Sequence, residues 1–309
     1  MNPLPRIISA LLLIVADACA DQPGIQPAQR PHFREAKRMV MTWVPPYAVA
    51  KSRARLEETF GGVGMKDIIT HLALQFFEPT REGGLRRVGD GDEVGDVTVA
   101  ALRDWAHANG IRVLLCVFNG NKSWDWPLAR AAFAGQPKKF AAGLAAEVER
   151  LGLDGVDVDL EGNGEFDADK AAFGAFIREL SALLHANKRQ LTVDTFSYVW
   201  NAPNQHWWKE LLPLVDGLNT MGYQEIGASG KDWRAFAAQE TAASADVAKL
   251  LLGMPSEAAR WQGVAVLDQL RWVRDHGKAG VSIWDAQLPS AAWRTREVWA
   301  LLREIRDGK

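Results

Sequence analysis

The sequence predicts an α/β protein built as a single (β/α)8 TIM barrel. Short apolar runs alternate with amphipathic helical segments, and that alternation recurs eight times. Several of the runs are apolar almost throughout, as parallel strands covered on both faces should be. An open doubly wound sheet is the alternative. Against it, no GxGxxG follows the first strand and no P-loop occurs anywhere.

At the N-terminus Arg6 precedes the apolar run Ile7–Ala16, and Ala18-Cys19-Ala20 offers a small-x-small cleavage site. Residues 1–20 therefore read as a secretory signal peptide cleaved near Ala20, which predicts a periplasmic or extracellular protein. The run is too short to span a bilayer. Lipidation of Cys19 is an alternative that Ala16 and Asp17 fit poorly. Residues 21–36, with three prolines, read as a leader segment, and residues 37–309 as one catalytic domain.

The strands are read at Met39–Val44, Ile68–Phe77, Ile111–Phe118, Gly155–Glu161, Leu191–Phe196, Gly217–Tyr223, Leu250–Met254 and Gly280–Trp284. Helical patterns between them include Val97–Asn109, Pro137–Leu151, Ala168–Ala186, Val264–His276 and Ala291–Asp307. A net charge of -2 without a basic stripe argues against nucleic acid as partner. A monomer is expected. Cleavage after Ala20 would leave Cys116 as the remaining cysteine, a buried strand residue in Val113-Leu-Leu-Cys-Val-Phe118.

One strand carries the chemistry. Leu153-Asp-Gly-Val-Asp-Val-Asp-Leu-Glu161 holds Asp154, Asp157, Asp159 and Glu161 between residues that strands bury. Strand alternation puts Gly155, Asp157, Asp159 and Glu161 on one face and Val156, Val158 and Leu160 on the other. The aliphatic face must meet the helices, so the acidic face points into the barrel and rises toward the C-terminal rim. Successive inward residues lie about 6.6 Å apart, with Glu161 uppermost, before the loop Gly162-Asn-Gly164. Carboxyls stacked this way titrate as a coupled set with at least one proton retained, which suits Glu161 to be a general acid near neutral pH. A salt-bridged acidic cluster would need inward basic partners. A hard-cation site is also open to such carboxylates, but no EF-hand loop or histidine set accompanies them, and no cofactor is expected.

DGVDVDLE resembles the DxxDxDxE signature of glycoside hydrolase family 18, which includes chitinases and endo-β-N-acetylglucosaminidases. The resemblance implies a substrate of β-linked N-acetylglucosamine, cleaved with retention. Glu161 would protonate the glycosidic oxygen. Asp159 would orient the substrate's own 2-acetamido group as nucleophile, Asp157 would be the buried partner, and Asp154 a structural member. Retaining glycosidases otherwise use a second carboxylate as nucleophile, and this family is a known exception. Met221-Gly-Tyr-Gln224 is similar to the family's Met-x-Tyr-Asp segment, implying that Tyr223 bonds the acetamido carbonyl and that Met221 and Gln224 line the site. Ser282-Ile-Trp284 resembles the C-terminal Trp that floors the sugar subsite.

Two departures point away from chitin itself. Gln224 stands where an acidic residue commonly follows the Tyr, and strand three ends Phe118-Asn119-Gly-Asn121 instead of Ser-x-Gly-Gly, leaving Asn119 as a candidate substrate contact. Aromatic platforms are read at Trp43 and Tyr47 at strand one, Trp124 and Trp126 after strand three, and Tyr198 and Trp200 after strand five. Many chitinases of the family insert an α+β domain after strand seven. Here only Pro255–Arg260 precedes the next helical stretch, so an open, endo-acting cleft is expected. A non-catalytic carbohydrate-binding protein on the same barrel is the rival reading. An esterase or deacetylase lacks a G-x-S-x-G elbow and a metal set among the six scattered histidines.

Overall fold

Eight parallel strands close on themselves: β1 (Val40–Val44), β2 (His71–Pro79), β3 (Arg112–Phe118), β4 (Gly155–Asp159), β5 (Gln190–Thr195), β6 (Gly217–Thr220), β7 (Leu250–Pro255) and β8 (Gly280–Trp284). Each pairs in parallel with the next, and β1 pairs with β2 on one side and β8 on the other, through Trp43↔Ala73 and Met41↔Ser282. The chain is a (β/α)8 barrel. This computed structural model describes residues 31–89, 91–120, 124–162, 167–195, 207–221, 223, 233–261 and 265–309. The signal-peptide reading lies outside the described residues.

The helices are α1 (Val49–Glu57), α2 (Asp96–Ala108), α3 (Trp126–Phe133), α4 (Pro137–Leu151), α5 (Lys170–Ala186), α6 (Trp208–Leu211), α7 (Arg234–Ala243), α8 (Val266–Asp275) and α9 (Arg296–Asp307). Local chemistry sets their ends. Pro137 opens α4, and Gly152, in the left-handed region at φ 64°, closes it. The expected helix Ala291–Asp307 is broken, because the Ser290 hydroxyl accepts from Ala292 N and the Thr295 hydroxyl from Val298 N, giving a short 3-10 turn and then α9.

Two separate apolar clusters show how the barrel is filled. The larger lies between strands and helices and includes Val156, Val158 and Leu160, the aliphatic face of the acidic strand. The smaller, of Met41, Trp43, Ala73, Leu114, Cys116 and Leu251, lies inside the barrel. Asp157 lies level with Cys116 of this apolar plug, and Asp159 and Glu161 follow toward the C-terminal rim. After β7 only the 3-10 turn Ala258–Trp261 precedes α8, so no α+β domain is inserted.

The strand bounds differ from the sequence reading, β4 ending at Asp159 instead of Glu161 and β2 beginning at His71 instead of Ile68, and three further features differ. β2 ends in a hairpin with Leu85–Arg87, an antiparallel partner too short to show as a pattern. The strand expected at Gly217–Tyr223 ends at Thr220. Part of the leader belongs to the barrel: the Arg34 guanidinium donates to the carbonyls of Lys66 at 2.9 Å and Asn109 at 3.0 Å.

Candidate active site

β4 puts Asp157 and Asp159 in the barrel interior, and Glu161 follows at its C-terminal end; all three are at most 7% exposed. Among the described residues, three donors converge on the Asp157 carboxyl. Trp43 Nε1 reaches Oδ2 at 2.7 Å, the Thr192 hydroxyl donates to Oδ1, and the Cys116 thiol also donates to this carboxyl. Burial still pushes the Asp157 carboxyl upward, opposed by these bonds. Asp159 receives Gln75 Nε2 on Oδ2 at 2.9 Å. Burial raises Asp159 to about 7, with the Asp157 charge adding to it. Glu161 is held well above the usual carboxylate range, first by burial and then by the charge of Asp159 and a hydrogen bond to it.

The three carboxyls thus order themselves. Donors converge on the lowest, so it ionises first. Its charge raises the next, Asp159, and once Asp159 ionises its charge holds the proton on Glu161. The column can keep a proton at the rim in neutral solution, as general-acid chemistry needs. No cation opposes this: among the described residues, basic side chains act on none of the three. Asp154 does have basic side chains beside it, His107 Nε2 at 2.7 Å and Arg189 Nη1 at 3.7 Å, and it also accepts from Val113 N at 2.8 Å at the base of the strand.

The rest of the expected set divides. Tyr223 is half-buried, and its hydroxyl is pushed well up by burial and then by the charges of Asp194, Asp159 and Glu161. Trp284 is partly exposed at the end of β8, with its ring centroid 5.9 Å from that of Trp43. Met221 is buried, and its N donates to Thr195 O at 2.6 Å. Trp124 is 46% exposed and lies over Gly120, where a Cβ would come within 2.1 Å of its ring. Tyr47, 70% exposed, meets Asp285. Gln224, Tyr198 and Trp200 lie outside the described residues.

Three placements correct the sequence reading. Trp126 is no rim platform: it opens α3, is 7% exposed and donates Nε1 to Asp169 at 2.9 Å. Trp43 is fully buried below the rim, so it holds Asp157 instead of stacking on a sugar. Asn119 faces no substrate either, because both ends of its carboxamide bond the main chain of Glu161, Nδ2 to O at 2.7 Å and Oδ1 from N at 2.8 Å.

Sequence reasoning missed four polar residues that the barrel brings to this column. Gln75 on β2 donates to Asp159, and Thr192 on β5 donates to Asp157. Asp194, two residues along β5 from Thr192, is a further buried carboxyl. Asn219 on β6 accepts from the Ser282 hydroxyl of β8. The available signal was a polar residue at an alternate position of an apolar strand.

A sequence model of the Glycosyl hydrolases family 18 matches residues 47–269. Among curated proteins no sequence matches the chain. Solved structures share the fold at low identity. A chitinase from Chromobacterium violaceum is 18% identical with a TM-score of 0.65, over 87% of this chain and 98% of that one. A class V chitinase from Pseudomonas fluorescens is 15% identical with a TM-score of 0.68, over 86% and 99%. The Bacillus cereus spore cortex-lytic enzyme SleL is 16% identical with a TM-score of 0.64, over 86% and 74%.

Proposed function

Because the chain belongs to glycoside hydrolase family 18, we propose that it cleaves β-linked N-acetylglucosamine glycans by substrate-assisted, retaining catalysis. The observation that carries this reading is the column of buried carboxyls Asp157, Asp159 and Glu161 rising to the rim, whose burial and mutual charge favour a proton on Glu161 beside a more readily ionised Asp159. Glu161 gives its proton to the glycosidic oxygen as the C1–O bond breaks. The substrate's acetamido oxygen bonds C1 from the opposite face, with Asp159 accepting from the amide N–H and Tyr223 donating to the carbonyl. Water then adds to C1 as the C1–O bond to the acetamido oxygen breaks and its electron pair returns to the amide, while Glu161 takes the water's proton, so two inversions leave the configuration retained. Trp284 floors the reacting sugar, and Trp124 offers an outer stacking surface.

The two solved relatives that are chitinases and the one that is cortex-lytic together suggest amino-sugar polymers, with chitin oligomers and peptidoglycan foremost. Without a domain inserted after β7 the cleft is open on that side, which favours endo cleavage. The export signal read in the sequence of residues 1–20 supports a periplasmic or extracellular site of action.

Product analysis tests the reading, using wild type and Glu161→Gln on chitooligosaccharides, peptidoglycan, N-glycans and N-acetylated exopolysaccharides. Wild type should release mixed internal fragments from at least one of them, and Glu161→Gln should lose a factor on the order of 10² or more in turnover. Full activity in Glu161→Gln refutes the acid assignment. Disaccharide as the sole early product refutes endo action, and glycan binding without turnover by wild type favours the carbohydrate-binding rival.

A further inference from the structure

Asp194 is a buried titratable group that the mechanism above leaves without a task. It is 2% exposed on β5, and its paired residue on β6 is Asn219. The Asn219 carboxamide is fixed on one side, where Oδ1 accepts from the Ser282 hydroxyl. That bond turns Nδ2 the other way. There the amide lies close enough to Asp194 and to the Tyr223 hydroxyl to favour the charged form of each, yet Nδ2 meets neither in good hydrogen-bond geometry. The Tyr223 ring is seated against β7: a Cβ on Gly253 would come within 3.1 Å of Tyr223 Cε1. Backbone thus places the ring, with the Asn219 amide near its hydroxyl.

The groups facing Asp194 decide its charge. From β4 and its end come Asp157, Asp159 and Glu161, from β3 the Cys116 thiol, and beyond β6 Tyr223. β1, β2, β7 and β8 bring Trp43, Gln75, Gly253 and Ser282 inward, none of which titrates. An ionised Asp194 would add an anion to desolvated space that Asp157 already occupies with one. Burial followed by the charges of Asp157 and Asp159 does hold Asp194 well above the usual carboxylate range.

We propose that Asp194 is a positioning residue kept in its neutral form, which orients the Asn219 carboxamide and through it the Tyr223 hydroxyl. A neutral carboxyl at this point offers Asn219 an acceptor without placing another negative charge beside Asp159, whose own charge the mechanism needs. The proposal rests on the catalytic reading of Glu161 and Tyr223 given above.

Carbon-13 NMR of the full chain tests it without any substrate. With aspartate carboxyls labelled, the resonance that disappears in Asp194→Asn should carry a protonated shift at pH 7; an ionised shift overturns the proposal. With tyrosine ring carbons labelled, the three tyrosines give three signals, and Tyr223→Phe identifies the one that matters. Asp194→Ala should move the Tyr223 signal while those of Tyr47 and Tyr198 stay in place, and Asp194→Asn should restore it. An unmoved Tyr223 signal, or all three moving together, overturns the proposal. If Asp194→Ala does not fold, the carboxyl measurement on wild type still decides. On any N-acetylglucosaminide that wild type cleaves, Asp194→Ala should lose roughly tenfold in kcat and Asp194→Asn no more than about threefold. Full activity in Glu161→Gln, with the NMR as expected, would remove the catalytic reading and leave the positioning of Tyr223 intact.

Discussion

The Asn119 carboxamide meets the main chain of Glu161 through both of its ends, at 2.7 and 2.8 Å. It thereby extends the β3–β4 ladder past Asp159, where the strand itself has stopped. A residue at the end of a strand would ordinarily sway with the loop that follows. Here two buried hydrogen bonds hold the backbone that aims the acid, each worth about 0.5–1.5 kcal/mol. Asn119→Ala should therefore lower kcat by roughly tenfold with KM little changed, since no substrate contact is lost. Steady-state kinetics check this. A raised KM at unchanged kcat would return Asn119 to the sugar-binding surface. The same logic applies to Trp43, whose indole is engaged below the rim and fixes Asp157.

Among the elements, β4 was the most legible, because all of its chemistry lies within nine residues. A period of two separates its acidic and aliphatic faces, and only a barrel offers both an apolar layer outside and a polar mouth within. Gln75, Asp194 and Asn219 come from three other strands, and it is closure of the sheet that brings them together. In their own strands they stand among scattered polar residues, such as Thr192 and Thr195 beside Asp194 and Thr220 beside Asn219, and no run of carboxyls singles them out. Trp126 was misread for a local reason. Ser-Trp-Asp-Trp-Pro looks like an aromatic loop, yet Asp125 accepts from Leu128 N and Pro127 sits in the first turn, so the stretch starts a helix. Gly155 is the element's tightest point. A Cβ there would lie 2.1 Å from the Gln190 carbonyl oxygen, which is backbone and cannot swing aside, in the rung that pairs Gly155 with Gln190. Gly155→Ala should destabilise the fold by about 1–3 kcal/mol, seen as a lowered Tm. An unchanged Tm would mean that β4 and β5 separate at no cost.

At the scale of the whole molecule the barrel is a low-dielectric container for protons. Asp159, Glu161 and Asp194 all titrate higher in the folded chain than carboxylates in water, chiefly because burial disfavours their charged forms. A group whose pKa is raised by folding adds stability below its unfolded value, and that stability is lost as pH rises through the folded value. For Asp159 the loss runs from the ordinary 3.8 to about 7, and Glu161 and Asp194 are shifted in the same direction. His71 acts in the opposite sense. Burial lowers it from 6.5 to about 4, so the folded state loses stability as pH falls through that range. Below pH 6.5 the two effects therefore oppose each other, and above it the carboxyls act alone among these groups. The expected outcome is a Tm that declines steadily above pH 6.5 while the protein remains folded. Asp194→Asn, which cannot ionise, should flatten the upper part of that decline. Calorimetric melting across neutral and alkaline pH measures both. A Tm that rises with pH through this range would show that the interior carboxyls are already charged in the folded chain, and the retained proton on which the acid role of Glu161 depends would have no source.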